Sequence, residues 1–409
     1  MRLLSILLLL FAVYFAQAQP HSFESLLQQG KAEFKQEKPN YKAAARALEA
    51  AIKLQPSSAE AHYYLGYTYS RLNNEGGATM NQMRLALVRK ASQEMEMVNR
   101  LAPHYTGDLL PLDPYGKITS EWGALAVGYA TRQQDDSARW AFAQGRLRGG
   151  FSDFLVGHAR ALLDQCRPAG ILLSPGDLIT FPLAYVQLVN HYRVDVSVVD
   201  VALLATTWYP AYLEKTTSLR FGMPAAARDT VAYMPWHTGP WHVFNARLQT
   251  SFTWQLHPTY DSTYLQRPDI LLLALLQANE FRRDVYFTHA FQESAQLSLR
   301  LNQELLQRWI VYQVNASGEP EPATAEYLTH IVPVLDLVAK ANSNSRNEVA
   351  MILGLRYDLL DRLQRSLQVG RSAEVKPLLA LVDHYLSEAT YPFESPEEKA
   401  FYKYAKTLQ

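Results

Sequence analysis

From Gly30 to Gly145 small and apolar residues return every three to four positions, the period of helices that bury one face. Phe154 to Leu163 continues the helical pattern, and Arg167-Pro168-Ala169-Gly170 breaks it. The period then changes. Ile171-Leu172-Leu173 predicts a short buried strand ended by Pro175-Gly176, and a helix follows with Leu183, Val186 and Val189-Asn190 along its inner edge. Thr180 is its expected N-cap, with Pro182 in the first turn. Val194 to Val201 is dense in β-branched residues and predicts a second strand. Strand, helix and strand joined by short connections make a βαβ unit and imply a parallel sheet.

Beyond it, the stretch from Pro224 to Pro258 is aromatic and loop-like, with β segments expected around Val231-Ala232-Tyr233 and from Leu248 to Trp254. Ile270 to Asn279 reads as a helix, Val285 to Thr288 as a strand, Leu297 to Leu306 as a helix and Trp309 to Val314 as a last strand. Asn315 to Ala323, rich in Gly, Pro and acidic residues, is a linker candidate, and from Thr324 onward only helical periodicity remains. The expected fold is therefore mixed: N-terminal helical repeats, a central α/β domain with a βαβ unit in a mostly parallel sheet, and C-terminal helices.

The N-terminal pattern repeats itself. Gly30, Tyr41, Ala44, Leu48, Ala51 and Pro56 stand in the order of a tetratricopeptide repeat, with small residues where two antiparallel helices touch. Leu65, Gly66, Tyr69 and Ala78 suggest a second copy whose second helix runs on through Met95 to Leu101. Trp122, Leu125, Ala126, Tyr129, Ala138, Phe142 and Gly145 suggest a third, after an irregular connection from His104 to Thr119. Such repeats stack into a surface that receives a protein or peptide partner, here expected in the repeat groove.

The first residues change the setting. Met1-Arg2, the apolar run from Leu3 to Phe15 and the small-x-small site Ala16-Gln17-Ala18 read as a signal peptide at 1–18, so export to the periplasm or cell envelope is expected. No later apolar run reaches spanning length, so no membrane span is expected after its removal. The remaining units are a repeat module at 19–155, an α/β domain at 156–320 and a helical region at 321–409. A chain of 409 residues needs more than one packed unit. Lys+Arg 39 balances Asp+Glu 39 with no long block of one sign, which argues against nucleic acid as a partner. Cys166, the single cysteine, excludes an internal disulfide and a cysteine-rich zinc site, and is expected as a small buried residue.

Gly176, Asp177, Thr180, Phe181, Pro182, Leu183, Tyr185 and Gln187, then Arg193, Asp195, Val196, Leu203, Leu204, Thr206, Trp208 and Tyr209, form an ordered run. It resembles the soluble C-terminal region of a family of multi-pass bacterial membrane proteins, grouped with protein O-mannosyltransferase-like glycosyltransferases and otherwise of unknown function. Asn279 to Phe287 (NEFRRDVYF) is similar to that family's strand entry, with Asp284 in place of a proline. The resemblance spans roughly 157–314. Leu178 and Ile179 replace an Asn and an Asp of the family's turn, and the membrane part has no counterpart here. The resemblance thus implies a glycan-related domain without implying sugar transfer.

In a parallel sheet ligands collect beyond the C-terminal strand ends and at helix N-termini, which makes Gly176, Asp177 and Thr180 candidate ligand-binding residues. The family run adds Arg193, Trp208 and Tyr209. The competing structural reading has Asp177 and Thr180 satisfying free helix amides. Glycoside hydrolysis wants two carboxylates, and the turn supplies one, so no catalytic residue is assigned. Trp236, His237, Trp241, His242, Trp254 and His257 crowd one region, but their spacing fits no metal motif. No nucleophile-elbow, zincin, phosphate-loop or dinucleotide motif occurs, so neither metal nor cofactor is expected. Two function classes remain. One is a non-catalytic scaffold that recognises an envelope glycan or glycoprotein; the alternative is an enzyme acting on envelope carbohydrate through the Asp177 turn.

Overall fold

The computed structural model describes residues 22–74, 76–288 and 296–408, and the expected signal peptide lies outside the described residues. Helices α1 (Phe23–Ala32), α2 (Tyr41–Leu54), α3 (Ala59–Asn73), α4 (Leu85–Leu101), α5 (Pro114–Thr131) and α6 (Asp135–Leu147) pack in sequence. Several starts are fixed by short polar side chains. Ser22, Asn40, Ser58 and Asp113 accept from the amides of Ser25, Ala43, Ala61 and Gly116 at 2.7–3.2 Å. Each such cap contributes about 1 kcal/mol.

Small residues set the spacing within the helix pairs. A Cβ on Gly66 would stand 3.2 Å from the Ala91 carbonyl, and one on Gly145 would stand 2.7 Å from the Trp122 Cβ. The second pair departs from its expected register. Ala78 is exposed in a turn before α4, and the small buried residue of that helix is Ala91. The loop around Gly76-Gly77 lengthens the connection, so counting from the previous copy lands too early. The third pair also starts sooner than expected, because Asp113 caps α5 with Pro114 at its first turn.

Helix α7 (Asp153–Asp164) leads into β1 (Ile171–Ser174), α8 (Asp177–Asn190) and β2 (Ser197–Asp200). Then come α9 (Tyr209–Thr216), α10 (Ala225–Thr230), β3 (Tyr233–Pro235), the hairpin of β4 (Gly239–Asn245) and β5 (Thr250–Leu256), β6 (Tyr264–Gln266), α11 (Arg267–Asn279), β7 (Val285–Phe287), β8 (Leu305–Arg308) and β9 (Val311–Val314). The main sheet has the order β2-β1-β7-β9-β8. Ile171 is in parallel register with Ser197 on one side and Val285 on the other, so the βαβ unit is present as read. The β7–β9 and β9–β8 pairs are antiparallel, which makes the sheet mixed rather than mostly parallel. Three expectations change here. The second strand is four residues long, because Arg193 turns the chain with a φ of 46°. The helix expected from Leu297 to Leu306 is a 3-10 turn at Asn302–Glu304 followed by β8, where sheet pairing overrides the local pattern. Thr180 and Pro182 sit inside α8, which starts at Asp177.

Helices α12 (Thr324–Leu335), α13 (Arg346–Gln368), α14 (Val375–Tyr385) and α15 (Pro396–Lys406) close the fold. The segment expected as a linker is tied down at both ends. Glu319 pairs with Arg167 and Arg308, and the fully buried Arg362 bonds Glu321 and the Pro322 carbonyl. Removing one partner from such a buried pair is far more costly than losing a surface ion pair. One apolar core runs from Leu27 in α1 to Ala405 in α15. Asp113 shows how the parts lock together: it caps α5 while Oδ2 accepts from the Ser345 hydroxyl at 2.7 Å and the Asn347 amide at 2.8 Å, at the start of α13.

Candidate functional site

The chain leaves β1 toward β2 on one side and leaves β7 toward β9 and β8 on the other, so β1 and β7 flank a topological switch point. Crevices at such points, beyond the strand C-termini, are where open α/β sheets bind ligands. The turn Ser174-Pro175-Gly176-Asp177 lies there. Gly176 has φ 65° and ψ −178°, a conformation that only glycine adopts without strain.

Behind this turn a polar chain runs through the sheet. The Ser174 hydroxyl donates to Thr180 Oγ1 at 2.8 Å, and Thr180 donates to Asp200 Oδ2 at 2.7 Å. Asp200 Oδ1 accepts from the amides of Ala202 and Leu203 at 2.9 and 3.0 Å, while its own amide donates to the Tyr209 hydroxyl at 2.8 Å. Burial pushes the Asp200 carboxyl up to about 6, against the pull of these bonds and with the Asp177 charge adding to the rise. Thr180 therefore holds a buried carboxylate rather than capping a helix.

Asp177 is no cap either. It is the first residue of α8, and its Oδ2 accepts from the Ser120 hydroxyl of α5 at 2.5 Å. Next to it, Lys117 pairs with Glu121 at 2.8 Å and lies 5.0 Å from the centre of the Tyr67 ring. The repeat module and the α/β domain thus share one cleft of about 260 Å³. Tyr67, Arg71 and Asn74 of α3 and its end, and Lys117, Ser120 and Glu121 of α5, form one side; Gly176, Asp177 and Asp200 form the other. The last three come from the strand ends, and Asp200 supplies a second carboxylate invisible from the turn's own sequence. Glu121, which no motif singled out, is 2% exposed, and its Oε2 has no hydrogen-bond partner.

The cleft is what remains of the repeat groove. Over α3 the groove holds the chain's own segment from Tyr105 to Leu112. Tyr105 stacks on Tyr63 with ring centroids 4.9 Å apart. The Leu110 amide donates to the Tyr63 hydroxyl at 2.8 Å, and the Leu112 amide donates to the Tyr67 hydroxyl at 2.6 Å. Both hydroxyls donate back to the Leu112 carbonyl at 2.8 and 2.9 Å. A peptide partner expected in the groove meets this strap first.

The other candidates divide. Tyr209 reaches the site through Asp200. Trp208 sits at the edge of the interface, where its indole donates to the Gly77 carbonyl at 3.0 Å. Arg193 does not join them: it precedes β2 at the opposite end of the strands, bonds the Leu163 and Cys166 carbonyls at 2.7 and 3.0 Å and pairs with Asp195. There it stabilises the end of α7. Cys166 beside it is buried, with its thiol pushed up to about 12 by burial. The aromatic cluster forms the β4–β5 hairpin, in which Trp241 faces Trp254 and the Trp236 indole donates to the Leu256 carbonyl at 3.1 Å. His242 and His257 meet threonines rather than each other.

Two larger cavities lie nearby. One of about 640 Å³ lies between α8, α9 and the α5–α6 turn and is lined by apolar and polar side chains alike, among them Thr180, Gln187 and Asp195. The other, of about 430 Å³, lies across the turn against α13 and reaches Thr288 and Asp358. Among the described residues no group of three or more His, Cys, Asp or Glu could hold a metal ion, and no helix is long and apolar enough to cross a membrane.

With this geometry in place, the similarities to known families fall where the modules do. A TPR repeat model matches residues 30–73, covering α2 and α3, and the model described as TMEM260-associated domain 2 matches residues 156–225, from α7 through β1, α8 and β2 to α10. The chain matches no curated protein.

Proposed function

We propose that this protein is an exported, non-catalytic interaction scaffold of the periplasm or cell envelope that recognises an envelope glycan or the glycan of a glycoprotein. Tetratricopeptide repeats generally serve protein binding, which supports the scaffold part of the reading. The apolar N-terminal run with its small-x-small site supports export. The resemblance of the central run to the soluble region of a glycosyltransferase-like family supports a glycan as ligand.

The observation that carries the reading is the closed groove. Tyr63 and Tyr67 hold the chain's own strap where a peptide would lie, leaving a polar cleft of about 260 Å³ at the domain junction. That volume suits one compact polar unit. Drug-sized ligand pockets begin at roughly 300 Å³. A protein carrying such a unit then meets the outer faces of the repeats while the unit enters the cleft.

The test compares wild type with Arg71→Glu at the cleft wall, using envelope extracts and mass spectrometry of captured glycans and glycoproteins. Capture by wild type and its loss in the variant is the expected result; equal capture by both counts against the reading. The enzymatic alternative draws on Asp177 and Asp200, two carboxylates on one cleft, the second raised to about 6. It requires that Asp177→Asn abolish turnover of an envelope carbohydrate. The bound state of both carboxylates favours the scaffold: each already accepts from protein donors.

A further inference from the structure

We infer that the cleft between α3, α5 and the β1–α8 turn is a binding site for a single neutral sugar ring, with Glu121 and Arg71 as the residues that grip its hydroxyls. The inference rests on the glycan reading above and deepens it, since neither residue belongs to the motifs that suggested a glycan.

Two cleft side chains have unmet hydrogen-bonding capacity. Glu121 is buried and its Oε1 is taken by Lys117, yet Oε2 has no partner. A buried carboxylate oxygen left without a donor is destabilising, so such a group in a cavity wall is best explained by a ligand or water that supplies the donor. On the same side of the cleft Arg71 is half-buried and makes no side-chain hydrogen bond or ion pair among the described residues. The cleft lining thus holds one group that wants a donor and one that wants an acceptor.

A hydroxyl is both. Vicinal hydroxyls of a sugar ring donate to Glu121 and accept from Arg71 without bringing charge. The cleft's own charges are already close to balance, with Arg71 and Lys117 against Glu121 and Asp177, and Asp200 buried behind them, so an anion such as phosphate would gain little. The remaining wall is apolar, with Met80, Leu112, Phe181 and Leu203 offering a surface for the C–H face of a ring. At about 260 Å³ the cleft has room for one hexose ring.

The test is calorimetric titration of the mature chain with D-mannose, D-galactose and N-acetylglucosamine, and with L-alanine as the zwitterionic rival. Saturable binding of at least one sugar, weakened tenfold or more by both Glu121→Gln and Arg71→Met, is expected. Arg71 has no side-chain partner among the described residues to lose, so R71M keeps the test valid if E121Q unfolds. No sugar binding by a wild type that still captures envelope glycoprotein would overturn this inference while leaving the scaffold reading intact. Binding of L-alanine in place of sugar, or sugar binding unchanged in R71M, would also overturn it.

Discussion

The Ser120 hydroxyl donates to the Asp177 carboxylate at 2.5 Å, joining α5 of the repeat module to the first residue of α8. Expected from sequence as a helix cap, Asp177 is instead a contact between two modules. Its energy is therefore shared with Ser120 and should be non-additive. A double-mutant cycle of Ser120→Ala and Asp177→Asn, read by urea denaturation, is expected to give a coupling energy of about 1–2 kcal/mol. Additive effects would place Asp177 back in a purely local role.

The strap makes a second prediction. Tyr63→Phe and Tyr67→Phe remove the hydroxyls that accept from the Leu110 and Leu112 amides. Each change is expected to cost about 1–3 kcal/mol, since the backbone groups lose partners. Hydrogen exchange of the amides at 110 and 112 should accelerate well before that of α3. Unchanged exchange in the double variant would mean that the strap is held by Tyr105 stacking alone.

A pH effect follows from Asp200. Burial raises its carboxyl from 3.8 to about 6, so the folded state binds the proton more tightly than the unfolded state. Its stabilising contribution is full below pH 4 and is lost as the pH rises through about 6. The size is about 3 kcal/mol for a shift of this extent. Relative to Asp200→Asn, wild-type stability should therefore fall between pH 4 and 7. A relative rise over that window would show that the Thr180 and amide bonds outweigh burial.

Close packing between the repeat loop and α5 gives a fourth test. A Cβ on Gly128 would stand 2.4 Å from the Met80 carbonyl oxygen, a backbone atom with little room to yield, whereas one on Gly354 in α13 would meet nothing within 4 Å. Gly128→Ala is expected to destabilise by about 1–3 kcal/mol. Gly354→Ala should stabilise by about 0.5–1 kcal/mol through helix propensity. Thermal melts of the two variants moving in opposite directions would support the packing; parallel shifts would contradict it.

The repeats, the βαβ unit, helix α11 and strands β7 and β9 were legible in the sequence because their signals are local. Helical period, small residues at contact points, β-branched density and Pro-Gly breaks all act within a few residues of one another. Gly176 was legible too, as part of the Pro175-Gly176 break that ends β1. Where the local pattern was ambiguous, long-range contact decided. Leu305 to Arg308 became a strand because β9 offered it hydrogen bonds, and Ala78 lost its place because the loop after Asn74 shifted the register of α4.

The site itself belonged almost wholly to the tertiary structure. Ser120 and Asp177 are 57 positions apart, and Arg193, although in the same ordered run as Thr180, ended at the other end of the strands. Sequence could nominate Asp177 and Thr180 by residue type, but the partner of each was chosen by how the modules pack. Glu121 carried no signal at all: a carboxylate on a helix reads as a solvated face until another domain covers it. The local order of residues determined which elements form. Only burial, by removing water from polar groups and leaving them to find partners across the interface, decided which side chains make the cleft.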